Sequence, residues 1–404
     1  MGGELDSRRW SRRGLLAAGA GALAFAAVGC ADDEPEQAAT RGAATIDAAL
    51  TPPSTQLPPT PTQPPLTSPV PGYLDPARWQ GRTLIVASPG VGDYLDALES
   101  AFLEPFAEAT GATVQHQQYG PEGVASLQDQ VDNDDHVWDV MLVPASSVLP
   151  LARTEYLAPI DYNVVDPNAL YDAVAMQHGV GAALYATVIV YPAVTGEAPA
   201  DWPAFWDLSR AGGTRALRRS PVGTFEFALL ADGVEQGSLY PLDTPRAFGS
   251  LERIRAATLF WEDSKQPVEL VRTEQVGLAA AWTVRTVLPD VASLIRTQWQ
   301  GGMMSADSWV IPRGITNTDM AMSFIGFATR AIPTANFARL QPFAPVNRDA
   351  LTLLRPDVVE SLPTAPSHVD QLFFEGWSYW ADNLDRLTAQ FEEWLLNPPA
   401  SPAA

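Results

Sequence analysis

The chain has 404 residues, of which 46% are apolar and 18% charged, so it carries a folded body and is long enough for two domains plus tails. Its formal charge of −22 argues against a nucleic-acid partner, which needs a basic face. The single cysteine excludes an intrachain disulfide framework and a Cys-rich zinc site.

In chain order, the first predicted element is an address. Ser7-Arg8-Arg9-Trp10-Ser11-Arg12-Arg13 precedes a short apolar run that ends in small residues, the pattern of a secretory signal over 1–29. Ser11-Arg12-Arg13-Gly14-Leu15-Leu16 resembles a twin-arginine export signal. Ala27-Val28-Gly29-Cys30 resembles a bacterial lipobox, which makes Cys30 the expected site of lipidation; the alternative is a plain signal peptide with an incidental cysteine. Residues 30–72 read as a disordered tether, because Thr51 to Pro71 holds nine prolines among Thr, Ser and Gln and cannot bury a core.

The body then alternates strands with helices. Thr83–Ser88 is a short apolar run bounded by Pro89-Gly90. Leu95, Leu98, Phe102 and Phe106 recur at helical spacing through Tyr94–Ala109, closed by Thr110-Gly111. Thr113–Gln118 reads as a strand, Ser126–Val131 as a helix and Val137–Val143 as a strand. This succession implies an α/β fold with a parallel sheet. Ala182–Tyr191 is a long apolar strand that could cross between two lobes, with Ser308–Pro312 as a return crossing. A second α/β region opens at Asp201–Asp207. Near the C-terminus Trp377, Trp380, Leu384, Leu387, Phe391 and Trp394 form an amphipathic helix whose aromatic stripe packs on a lobe.

Catalytic motifs are missing. There is no His-Glu-x-x-His, Gly-x-Ser-x-Gly or Walker loop, and the four histidines are far apart in sequence. Pro89-Gly90-Val91-Gly92 follows a strand but has Leu95 where a dinucleotide loop needs its third glycine; its backbone N–H groups could still hold a polar ligand group. Asp132–Asp135 lacks the glycine and the terminal glutamate of a calcium loop and reads as a solvated turn. No cofactor is indicated. An exported, tethered, two-lobe α/β chain without a catalytic set is expected to bind a solute rather than turn one over. An extracellular enzyme on the same scaffold would need two acids, or a nucleophile and a base, facing each other in the cleft.

Several blocks carry a resemblance over Thr83–Leu396. They are Phe102-Leu-Glu-Pro-Phe106, Trp138-Asp-Val140 with Pro144, Leu157-Ala-Pro-Ile-Asp161, Trp202-Pro-Ala-Phe-Trp-Asp207 with Arg215-Ala-Leu-Arg218, and Ala228–Gly233 with Leu239–Asp243. Trp309-Val-Ile-Pro312, Phe343–Asn347 and Leu362-Pro-Thr364 complete the set. In order and spacing the chain resembles the extracellular solute-binding proteins of ABC importers, in the spermidine/putrescine branch. The resemblance implies a two-lobe periplasmic-binding-protein fold, type II-like, with hinge crossover strands. It places lobe 1 at 73–187 plus 308–343 and lobe 2 at 188–307 plus 344–397. It implies capture of a polyamine-type cation in the interlobe cleft and delivery to an ABC permease, outside the cytoplasm and lipid-anchored, with a monomer as the family default. A polar, amino acid-like solute is the alternative. Trp282 matches the cleft-wall Trp, although Thr283-Val284 departs from the family's Asn-Gly. Asp307 matches the amine-binding Asp, and Tyr94 the Tyr after the first strand. Ser146 or Ser147 falls on a usual contact loop. The acid pair that clamps the central amine would fall at Ser220 and Gly223 and is missing; Glu226 and Glu274 are the candidates to replace it. Trp261, Ser264 and Gln266 could line lobe 2.

Overall fold

The computed structural model describes residues 64–397, apart from 91, 195–197 and 289; the signal, the lipobox with Cys30 and most of the expected tether lie outside the described residues. Among the described residues ten strands form one sheet: β1 (Thr83–Ser88), β2 (Thr113–Gln118), β3 (Val140–Pro144), β4 (Ala175–Met176), β5 (Gly179–Pro192), β6 (Arg215–Arg218), β7 (Thr258–Trp261), β8 (Leu278–Trp282), β9 (Ile295–Val310) and β10 (Phe373–Phe374). The main order is β2-β1-β3-β9-β5-β8-β6-β7, with β10 on β9 and β4 on β5. β1, β2 and β3 are mutually parallel, as are β6, β7 and β8. β5 and β9 are the two long strands, antiparallel to each other, and they join the two parallel groups.

The short strands match the apolar runs closely because each is flanked by turn residues. The first helix runs from Asp93 to Thr110 as expected, but contains a π turn over Glu99–Leu103 that keeps Phe102 and Phe106 on the core side. β5 spans Gly179–Pro192, longer than its apolar run. The expected short strand at 308–312 is the tail of the 16-residue β9. Register explains the discrepancy. Thr187 faces Met303 and Ile189 faces Gln298, so Val188 alone stands against Trp299–Gly302. This bulge holds Gly301 at φ 72°, and its carbonyl accepts a 2.7 Å bond from the buried Trp202 indole. Arg296-Thr-Gln-Trp-Gln-Gly-Gly302 therefore lacks strand alternation and hides the first half of β9.

Gly301 makes a stability test. A Cβ there would sit 2.9 Å from Trp202 Cδ1 on a left-handed backbone. Gly301→Ala is expected to cost about 2–3 kcal/mol, read by denaturant unfolding.

The C-terminal helix, Trp377–Leu396, buries Trp380, Leu387 and Phe391 against Phe225 and Leu217, as the aromatic stripe implies. Two expected boundaries differ. Leu66 exchanges backbone bonds with the Asn336 amide at 2.6 and 3.1 Å and Val70 is buried, so the chain is docked on the body well before residue 73. Residues 344–354, expected in lobe 2, pair with the other side: Ala344 bridges Leu184 and Asn347 bridges Leu170.

Candidate functional site

Parallel strands deliver the residues that follow their C-terminal ends to one place. Here β1 supplies Pro89 and Gly90, β3 leads to Pro144 and Ser146, β6 ends in Arg218, β7 in Trp261 and β8 in Trp282. They converge on the middle of the two long strands. Side chains alternate faces along a strand, and the cross-strand pairs Tyr185–Ser305 and Thr187–Met303, with Asp307 opposite Ala183, put one row of residues on the same face. Together these elements enclose a cavity of about 950 Å³, to which the loop residue Glu375 adds a further carboxylate.

The cavity carries both signs of charge. Asp307 is half-buried, and burial pushes its carboxyl up to about 7, with the Tyr94 hydroxyl bond pulling back. Tyr94 itself is buried and raised by desolvation, then by the Asp307 charge. The Glu375 carboxylate takes a 2.8 Å bond from the Ser305 hydroxyl; burial raises its pKa, and Ser305 and Arg218 oppose that rise. Arg218 supplies the positive pole. Its guanidinium lies over the Trp282 ring, 5.2 Å from the centroid, and burial lowers its pKa against the attraction of Tyr185 and Glu375. Among the described residues no hydrogen bond to that guanidinium is found. Trp282 also meets Tyr185 and Trp261, ring centroids 5.4 and 5.9 Å apart, so an aromatic wall stands beside the charges. At the rim Arg219 bridges Glu262 and Glu392 at 3.1 and 2.6 Å.

Of the expected site residues, Tyr94, Ser146, Trp282 and Asp307 come together on this cavity. Three do not line it. Ser147 is the next residue of the helix Ala145–Arg153 after Ser146 and turns inward, buried. Glu226 is fully buried behind the wall, bonded to Gly223, Tyr240 and Trp380. Gln266 spends its carbonyl on the backbone N–H groups of Glu262 and Asp263. Glu274 sits in an exposed turn at φ 55°, and Ser264 accepts from the buried Arg285 guanidinium. The glycine loop differs too: the Gly90 N–H already donates to Ser88 Oγ, at 3.2 Å. Arg218, Tyr185 and Glu375 are the residues sequence reasoning missed. Arg218 ended a block that carried the family resemblance without a ligand role, and Glu375 lies in a loop without a pattern.

Two halves of one sheet, joined by two long crossing strands around a cavity with polar poles and an aromatic wall, define a solute-trapping protein. The chain belongs to the bacterial extracellular solute-binding protein family, whose model matches residues 101–367. It is 30% identical over 328 residues to the gamma-aminobutyric acid-binding protein of Pseudomonas aeruginosa, covering 79% of this chain and 92% of that one. A solved structure described as the Atu4243-GABA receptor aligns at TM-score 0.71 and 29% identity, over 80% of this chain and 99% of the other. The periplasmic binding protein AgtB of A. tumefaciens R10, in complex with agropinic acid, aligns at 0.64 and 26%, over 79% and 100%. The protein is therefore the substrate-binding component of an ABC transporter for a small polar solute, and its family consists of binding proteins rather than enzymes.

The polyamine branch expected from the sequence is not the one these relatives point to. The reason is physical: Trp138 and Trp309, two anchors of that resemblance, are core residues. They report the scaffold and say nothing of the ligand.

Proposed function

We propose that the protein captures a small zwitterionic solute of the 4-aminobutyrate type between the two halves and presents it to its permease. The observation that carries this is Arg218: a guanidinium on the cavity wall within the field of Glu375, with Asp307 lining the same cavity. A guanidinium pairs with a carboxylate through two parallel bonds, and a buried acid pairs with an ammonium. A zwitterion neutralises both poles, whereas a polyamine would bring a second cation against Arg218. The relatives described as binding gamma-aminobutyric acid support the same reading. A larger amino acid-like solute is the second reading, favoured by a cavity of about 950 Å³, which a four-carbon amino acid does not fill. In either case we assign Tyr94, Asp307 and Ser146 to the lobe carrying β1–β3, and Arg218 and Trp282 to the lobe carrying β6–β8. Lipidation at Cys30 and export through the twin-arginine route are part of the proposal.

A thermal-shift screen tests it. A ligand that binds only the folded state adds about 2.7 kcal/mol at 100 times Kd. The midpoint is expected to rise with 4-aminobutyrate or a longer zwitterion and to stay put with putrescine and spermidine. A rise with polyamines alone overturns the reading.

A further inference from the structure

Glu226 does not reach the cavity, yet it holds three pieces of its wall. It lies on the helix Pro221–Ala231 and is fully buried. Its Oε2 accepts from the Gly223 N–H at 2.9 Å, and its Oε1 accepts from Tyr240 Oη at 2.6 Å and from Trp380 Nε1 at 2.7 Å. All three partners are donors, so they favour the ionised carboxylate, which only accepts, against the burial that opposes it. No ion pair to Glu226 is found among the described residues. Tyr240 Oη in turn accepts from the Gly376 N–H at 2.9 Å, and Gly376 follows Glu375. Gly223, Trp380 and Glu375 all line the cavity. Gly223 stands at φ 82° inside the helix's first turn, a conformation its bond to Glu226 pins.

We propose that Glu226 is a positioning and specificity residue: from behind the wall it fixes the Gly223 turn and the Glu375–Gly376 segment, and its buried charge favours the ammonium end of the ligand. The proposal rests on the zwitterion reading. Charges act over longer range in a poorly hydrated interior than in water, so a carboxylate one layer back still contributes to selection of a cation. Burial pushes Glu226 up to about 7, the neighbouring Glu375 adding to the rise and the Tyr240 and Trp380 bonds opposing it. The other titratable groups around it are Tyr240 and Tyr379, both raised by burial, and Glu375, also raised.

The test compares 4-aminobutyrate with its amine-free analogue 4-hydroxybutyrate by calorimetry on wild type, Glu226→Gln and Tyr240→Phe. Glu226→Gln should weaken 4-aminobutyrate about tenfold and leave 4-hydroxybutyrate within about twofold. It should also flatten the fall in 4-aminobutyrate affinity between pH 8 and pH 6. Tyr240→Phe, which keeps the carboxylate but cuts the link to Gly376, should weaken 4-aminobutyrate about threefold and serves if Glu226→Gln does not fold. A parallel loss for both ligands with an unchanged pH profile would mean a merely structural residue and overturns the proposal, as would wild-type affinity in both variants. Wild type that binds neither ligand overturns the zwitterion reading instead, and this proposal with it.

Discussion

Arg218→Ala is expected to weaken binding of a carboxylate-bearing solute by about 30-fold or more, the 2–5 kcal/mol that removing one partner of a buried charge pair costs. The position of the guanidinium sets this loss. It ends β6, lies over Trp282 and is attracted by Tyr185 and Glu375, with no hydrogen bond to the guanidinium found among the described residues. A side chain poised this way keeps its donor fork for the ligand. Arg218→Lys keeps the charge but loses the planar fork and the stacking, so an intermediate loss of roughly tenfold is expected. Calorimetric titration of the three proteins with 4-aminobutyrate checks both. Equal affinity in wild type and Arg218→Ala would remove Arg218 from the site.

Asp307→Asn is expected to act in opposite directions on binding and on stability. Burial raises the Asp307 carboxyl from 3.8 to about 7, so the folded state keeps a proton that the unfolded chain has lost. Between those two values the folded state binds more protons, and stability falls as pH rises through that window. The asparagine variant lacks this term, so its melting temperature should drop less between pH 4 and pH 8 than that of wild type. Binding reverses the logic. An ammonium against the carboxylate favours its ionised form, so affinity for 4-aminobutyrate should decline as pH falls below about 7, by at most about tenfold per pH unit. Asp307→Asn should lose about 100-fold in affinity at pH 8 and its own share of that pH slope, leaving the share that Glu226 contributes. A site that binds better and holds its fold less well is a familiar trade between function and stability.

How much of this was legible in the sequence depends on the kind of signal. The apolar run Thr83–Ser88 and the polar segment Thr113–Gln118 became β1 and β2 without adjustment, because turn residues bound both. The stripe from Trp377 to Trp394 specified the C-terminal helix and its buried side. β9 was half hidden, because the bulge at Trp299–Gly302 breaks the alternation that marks a strand. At the site, Asp307 and Trp282 were readable as residues flanked by recognisable scaffold. Arg218 was not, since an arginine ending a short strand has no periodic signature, and only the convergence of β6, β8 and β9 shows what it faces. Glu226 illustrates the converse. An acid near an expected acidic pair was a fair candidate for ligand contact, but the first turn of its helix rotates it inward onto Trp380 and Tyr240.

The central claim is that the cavity neutralises one negative and one positive group of the same small solute. Titration calorimetry at pH 7 with 4-aminobutyrate, butyrate, butylamine and putrescine at equal concentration tests it most directly. The account predicts tight binding of 4-aminobutyrate, weak binding of butyrate and butylamine alike, and no binding of putrescine. Putrescine binding at least as tightly as 4-aminobutyrate would contradict it.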